Sequence, residues 1–280
     1  MNDIIVGPVL LCRTFCLHFI QLKFFIMRKI GARLILALMV ILGTLYSYFS
    51  KTQVNPVTGE KQRVGLTPEE EIQLGLKSAP QMAAEFGGLH HDRSLQTKIK
   101  TIGKKLVSHS EADKSPYQFD FHVLADEKTI NAFALPGGQI FITAGLLKQL
   151  QTDDEIAGVL GHEIGHVIGR HSAEQMAKGD LLQGLAGAAG VAGGDYTTAQ
   201  TARYVARLID LSYGRSDELE SDDFGVKYMV AAGYKPEALL AVMKVLAKSS
   251  DGGVEFMSTH PSPANREEKI REAIAKYSKK

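Results

Sequence analysis

The chain has 280 residues, 45% of them hydrophobic and 22% charged, the composition of a folded globular protein rather than a disordered or fibrous one. A formal net charge of +1 offers no basic footprint for nucleic acid and no acidic solvating tail. Its only two cysteines, Cys12 and Cys16, lie near the N-terminus, so the body holds neither a disulfide framework nor a cysteine-type structural zinc site.

Leu34 to Ser50, "LILALMVILGTLYSYFS", carries no charge and follows Arg28, Lys29 and Arg33. A positive flank before an apolar run is the layout of a secretory signal, here at the short end for a membrane span. Tyr46, Tyr48 and Phe49 crowd the exit where a small-residue cleavage site would sit, which favours an uncleaved signal anchor over residues 1–50 against a removed signal peptide. Met27 opens a conventional signal by itself, and residues 1–26 read as an overextended start or as a second apolar segment. The positive-inside rule puts the body outside the cytoplasm.

Residues 51–66 are polar and turn-rich and read as a linker, ending where Thr67 and Pro68 supply an N-cap and a first helical position. Helical patterns run over 76–86 and 94–108. "YQFDFHVLAD" (117–126) alternates as a strand, and "GGQIFITAGLL" (137–147) gives a second one after a Pro136-Gly137-Gly138 turn. From Thr152, "TDDEIAGVLGHEIGHVIGRHSAEQMA" reads as one long helix opened by a Thr152/Glu155 capping box. Leu181 to Gly194 follows with fourteen uncharged residues, five of them glycine, which suits a lid or a buried turn of helix better than a span. Helices are expected near 197–213, 216–232, 236–247 and 263–277. The whole implies an α+β, predominantly helical domain over 67–280, with a small β-sheet beside the helix that carries the histidines.

On that helix His162 and His166 are about 40° apart and one turn apart in height, so both imidazoles can reach one ion. Glu163, beside the first, can address a water on that ion; this is the H-E-x-x-H arrangement of two ligands and a general base. A third ligand is needed. A glycine-turn route fails by one position, because Gly169 is followed by His171 and then Ser172, and on a continued helix His171 lies about 140° from His166. The other route uses "YGRSDELESDDFG" (213–225). Glu218 and Asp222 share one face there, with Arg215 a turn earlier; one carboxylate can bind metal while the other holds a histidine N–H. Asp217, Glu220 and Asp223 are left facing solvent.

"HEIGH", "RSDELESD", "NAFALPGGQIFITAGLL" and "STHPSPANR", in this order, resemble the HtpX and CAAX-prenyl-protease family of zinc metallopeptidases over about Asn55 to Ile274, and most closely its bacterial cell-envelope, LoiP-like and BepA-like members. The resemblance implies a glutamate-zincin fold, one Zn2+ per chain, and an E-x-x-x-D motif falling on Glu218 and Asp222. It also implies proteolysis of unfolded or misfolded envelope proteins at a membrane, on the periplasmic side.

Three protein ligands leave zinc a fourth position for water, and Glu163 is the expected base. His260 and Arg266, on the Pro-stiffened "THPSPANR" loop, are expected to stabilise the oxyanion, with His260 alternatively resting on the open zinc position. Gln139, Ile140, Phe141 and Ile142 are expected to form an edge strand that pairs with extended substrate, with core packing of Ile140, Phe141 and Ile142 an equal alternative. The competing reading is a zinc-bound, chaperone-like or scaffolding protein with a latent site, for which an intact Glu163 would be superfluous.

Overall fold

The computed structural model describes residues 31–193, 213–249, 256 and 259–279; residues 1–30, with both cysteines, and positions 197–212 of the expected helix lie outside them. Helix α1, Gly31–Ser50, is long and apolar enough to cross a membrane, with Leu34, Ile35, Leu38, Met39 and Leu42 exposed. At about 1.5 Å per residue, its twenty residues match a hydrocarbon core of about 30 Å.

The expected linker is instead a β-hairpin, β1 (Thr52–Val54) against β2 (Lys61–Arg63), with Gln53 opposite Gln62. Its turn is built by Asn55, whose side-chain oxygen accepts from the N–H groups of Val57 and Thr58. Helix α2 (Pro68–Glu85) starts at a Thr67/Glu70 capping box, and α3 (Arg93–Ser108) at Asp92. A short 3₁₀ turn, Glu111–Lys114, leads into the sheet.

The sheet has three strands, β3 (Asp120–Leu124), β4 (Ala132–Ala134) and β5 (Gln139–Thr143), in the order β3-β5-β4. β5 runs parallel to β3 and antiparallel to β4, and every one of its residues is buried. This corrects the expectation for Gln139, Ile140, Phe141 and Ile142. Both flanks of β5 are already paired, so no peptide can add to it. β4 pairs with β5 along one flank only. Its neighbours Asn131 and Leu135 bond inward to Thr143 and Gln139, so the backbone groups of Ala132 and Ala134 point away from β5, where both residues are buried.

The one-turn helix α4 (Ala144–Leu147) precedes α5 (Asp153–Ile168), which opens at the expected Thr152/Glu155 capping box. From Ile156 to Ile168 every residue of α5 is buried, as for a helix enclosed on all sides. The expected long helix breaks after Ile168. Gly169 caps it, Arg170 takes a left-handed φ of 57°, and α6 (His171–Gly193) starts anew. Tertiary contacts hold this costly backbone. Arg170 donates through Nε to Glu71 (2.8 Å) and through Nη2 to the Leu66 carbonyl (2.7 Å), while Asn55 and Gln62 donate to the carbonyls of Ile168 and Gly169. The hairpin thus caps the C-terminus of α5.

Helices α7 (Arg215–Ala231), α8 (Ala238–Ser249) and α9 (Arg266–Tyr277) complete the described chain. Ile99, Phe121, Ile140, Ile164, Tyr228 and Leu239 belong to one core joining α3, the sheet, α5, α7 and α8. Two compact units result: α1 with the part of α6 from Asp180 onward, and the remainder from Phe49.

Helices α5 and α7 meet backbone to backbone. A Cβ on Gly165 would lie 2.8 Å from Ser221 Cα, and one on Gly161 would lie 3.2 Å from Gly225 Cα. Gly165→Ala should therefore destabilise by about 1–3 kcal/mol through overpacking, despite the ~1 kcal/mol gain in helix propensity. Urea unfolding checks this; equal or higher stability would refute the close crossing.

Candidate metal centre

The α5–α7 crossing sets His162 and His166 against Glu218 and Asp222, and the loop before α9 brings in His260. All five side chains are essentially excluded from solvent. Ligand atoms of His162, His166, Glu218 and His260 lie within 4.8 Å of one another. His162 Nε2 and His166 Nε2 are 3.0 Å apart, and His260 Nδ1 is 3.0 Å from Glu218 Oε1.

The outer contacts fix which nitrogens face inward. His162 Nδ1–H donates to Asp222 Oδ1 at 2.9 Å, turning Nε2 to the cluster. His166 Nδ1 lies 2.9 Å from His171 Nδ1, and His171 Nε2 lies 3.3 Å from Glu220 Oε2. The assignment that satisfies every contact has His166 donating to His171 and His171 donating to Glu220, which leaves His166 Nε2 as an inward lone pair. The ring of Tyr213 stacks on His166 with centroids 3.9 Å apart, and Phe256 stacks on His260 at 4.3 Å.

Several sequence expectations move. His171 does not face away from His166; the break at Arg170 swings it back, and Glu220 turns to it rather than to open solvent. Asp217 is buried too, accepting from Gly214 N–H and from Gln175. Arg215 sits exposed at the first position of α7, and no ion pair to it is found among the described residues. Arg266 is buried but committed: Nε donates to Asp222 Oδ2 (2.7 Å), Nη2 to Asp222 Oδ1 (3.0 Å), and Nη1 lies 3.0 Å from Glu218 Oε2. A guanidinium held on both carboxylates positions them and is not aimed at an oxyanion. His171, Tyr213 and Phe256 are additions that motif spacing did not point to.

The charges fit a bound cation. Burial works against ionised Glu218, yet His260, His162 and His166 together lower its pKa. Burial likewise opposes charge on His162, but hydrogen bonds to Asp222 and Glu218 prevail and raise its pKa to about 9. His166 goes the other way, held neutral mainly by burial. Glu163 is raised by burial, and neither of its oxygens has a hydrogen-bond partner; His260 Nε2, 3.7 Å away, also lacks one. Buried, unpartnered polar atoms around converging lone pairs are what an ion and a water would satisfy. The residues present therefore fit a metal ion.

A cation entering the metal-free chain must displace the proton that His162 holds. Binding at pH 7.5 should release about one proton, seen as calorimetric heats that vary with buffer ionisation enthalpy. Neutral His166 and ionised Glu218 contribute none. The release should fade above pH 9, and affinity should rise about tenfold per pH unit below it. Buffer-independent heats at pH 7.5 would contradict this charge assignment.

Comparison with known proteins agrees with the geometry. The profile of Peptidase family M48 matches residues 93–274, which spans α3 to α9. The beta-barrel assembly-enhancing protease of Escherichia coli K12 is 30% identical over 228 residues, covering 75% of this chain and 45% of that protein. The mitochondrial metalloendopeptidase OMA1 of Schizosaccharomyces pombe is 27% identical over 238 residues, covering 82% of this chain and 68% of that protein. OMA1 of Saccharomyces cerevisiae is 32% identical over 203 residues, 65% of this chain and 56% of that protein. The chain thus spans less than half the length of the assembly-enhancing protease it matches. With the family profile covering more than half of the chain and the H-E-x-x-H histidines converging on Glu218, the chain belongs to peptidase family M48, a family of metal-dependent peptidases.

Proposed function

We propose that the chain is a zinc-dependent metalloendopeptidase anchored in a membrane through α1, acting on unfolded or misfolded envelope proteins from the periplasmic side. The observation that carries the activity is Glu163, a fully buried carboxylate with two unpartnered oxygens beside four converging ligand atoms. A binding module has no use for that group. The names of the relatives, one an assembly-enhancing protease and others mitochondrial metalloendopeptidases, support the substrate class. Arg33 at the start of α1 supports the orientation. In this reading residues 1–50 are the anchor region, and 67–280 with the preceding hairpin make the peptidase.

His162, His166 and Glu218 would hold one zinc ion per chain, a nitrogen–oxygen set that suits catalytic zinc. Bound there, zinc supplies Lewis acidity, polarising a scissile carbonyl and lowering the pKa of water toward about 7. Glu163 holds the attacking water by its free oxygens and takes its proton as the water adds to the carbonyl. It then passes that proton to the departing amine. Its raised pKa makes it a better proton acceptor than an exposed carboxylate. Asp222 fixes His162 through Nδ1–H, and Arg266 fixes Asp222. His260 would offer such an ion a fourth ligand and would then have to swing aside to admit substrate, leaving the site latent until opened.

Extended substrate would lie along the outer flank of β4 at Ala134. A cavity of ≈480 Å³ lies beside it, lined by Leu74, Met82, Phe133, Met176, Tyr213 and His260 among others, and takes an apolar substrate side chain. Glu163→Gln should keep zinc at about one per chain and lose casein cleavage by at least about 10²-fold, the lower range of general-base effects. Zinc bound with undiminished cleavage would remove Glu163 from the mechanism. Met176→Asp should lower kcat/KM by about 10-fold or more for peptides with a large apolar residue at the scissile bond, with zinc content unchanged. An unchanged kcat/KM would show that this cavity does not receive the side chain.

A further inference from the structure

The uncharged stretch after Asp180 is not a loop. It continues α6 as helix to Gly193, and from Asp180 onward it groups with α1 rather than with the rest of the peptidase. The contact is close. A Cβ on Gly184 would lie 2.4 Å from Thr44 Cγ2, so only glycine permits this approach. Around it an apolar groove of ≈440 Å³ is lined by Leu34, Ala37 and Ile41 of α1 and by Leu185, Ala188 and Ala192 of α6, with others of the same kind.

Gly184, Ala188 and Ala192 recur every four residues on the face that meets α1. Small residues at this spacing let helices approach in a medium where apolar burial alone does not drive association. Ahead of the stretch α6 is polar, with Glu174, Lys178 and Asp180; behind Asp180 no charge follows through Gly193. We propose that α6 from about Leu181 to Gly193 enters the hydrocarbon of the same bilayer as α1, as a re-entrant helix, with Asp180 at the boundary. Lipid is the occupant of the outward face, because α1, its packing partner, is itself exposed over Leu34, Ile35, Leu38 and Leu42 and matches a membrane core in length. Thirteen residues at 1.5 Å give about 20 Å, enough to enter a core of about 30 Å and too little to cross it. As a helix the segment satisfies its own backbone and can leave water. The catalytic helix α5, which ends at Ile168, is then followed about thirteen residues later by a second membrane attachment.

The inference rests on α1 being membrane-embedded, and the test separates the two. In full-length chain with Cys12→Ser and Cys16→Ser, single cysteines at Met39, Lys178, Leu185 and Ala189 are labelled with an environment-sensitive fluorophore. Each variant is reconstituted in phosphatidylcholine vesicles with and without acyl-chain-brominated lipid. The expected result is blue-shifted emission and bromine quenching at positions 39, 185 and 189, with neither at 178. Quenching at 39 without quenching at 185 and 189 overturns the inference, whether those probes report water or a protein cover. No quenching at 39 overturns the anchor reading and this inference with it.

Discussion

Helices α5 and α7 cross with no side chain between them at Gly161, Gly165, Ser221 and Gly225, and the centre depends on that contact. His162 and His166 project from one helix, and Glu218 and Asp222 from the other, so the interaxial distance sets the size of the ligand cage. Each glycine gives up about 1 kcal/mol of helix propensity relative to alanine. The loss is offset by burial of both helices in the common core and by the ion-pair network the crossing assembles. Any residue with a Cβ at Gly165 would move the histidines relative to the carboxylates by tenths of an ångström.

The second constraint is electrostatic. Glu163, Glu218 and Asp222 are buried together with Arg266 and three imidazoles. Burying charge is costly unless it is paired. Arg266 neutralises the Asp222–Glu218 side, and the metal-free chain keeps a proton on His162, yet both oxygens of Glu163 stay without hydrogen bonds. The network is therefore complete only with a further positive charge, and metal binding and local stability are linked. The outer ring has the same logic. Asp222 orients His162, while His171 and Glu220 orient His166, so each inner imidazole presents one defined lone pair.

The sequence revealed the chemistry more readily than its supports. The H-E-x-x-H spacing, the Glu218/Asp222 face and the Thr152 capping box are local patterns, and local patterns survive without a structure. The hairpin at 52–63 was invisible because "TQV" and "KQR" have no apolar face; its value lies in Asn55 and Gln62, which cap a helix more than a hundred residues away. The break at Arg170 was equally hidden. Nothing local favours a left-handed arginine, and the contacts that hold it come from Glu71 and Leu66. Without that break His171 seemed to point away from the metal. The sheet order was misjudged for a similar reason: "AFA" is too short to read as a strand, yet β4 takes the outer place and pushes "QIFIT" to the centre.

The most direct test of the account is X-ray absorption at the zinc edge on the full-length, zinc-loaded chain, with His260→Ala in parallel. The account predicts one zinc per chain in a shell of nitrogen and oxygen only, near 2.0–2.1 Å (about the usual Zn–N distance), with three imidazoles in the wild type and two in the variant. A sulfur neighbour, which only Cys12 or Cys16 among the cysteines could supply, or a shell with fewer than two imidazoles, would contradict it.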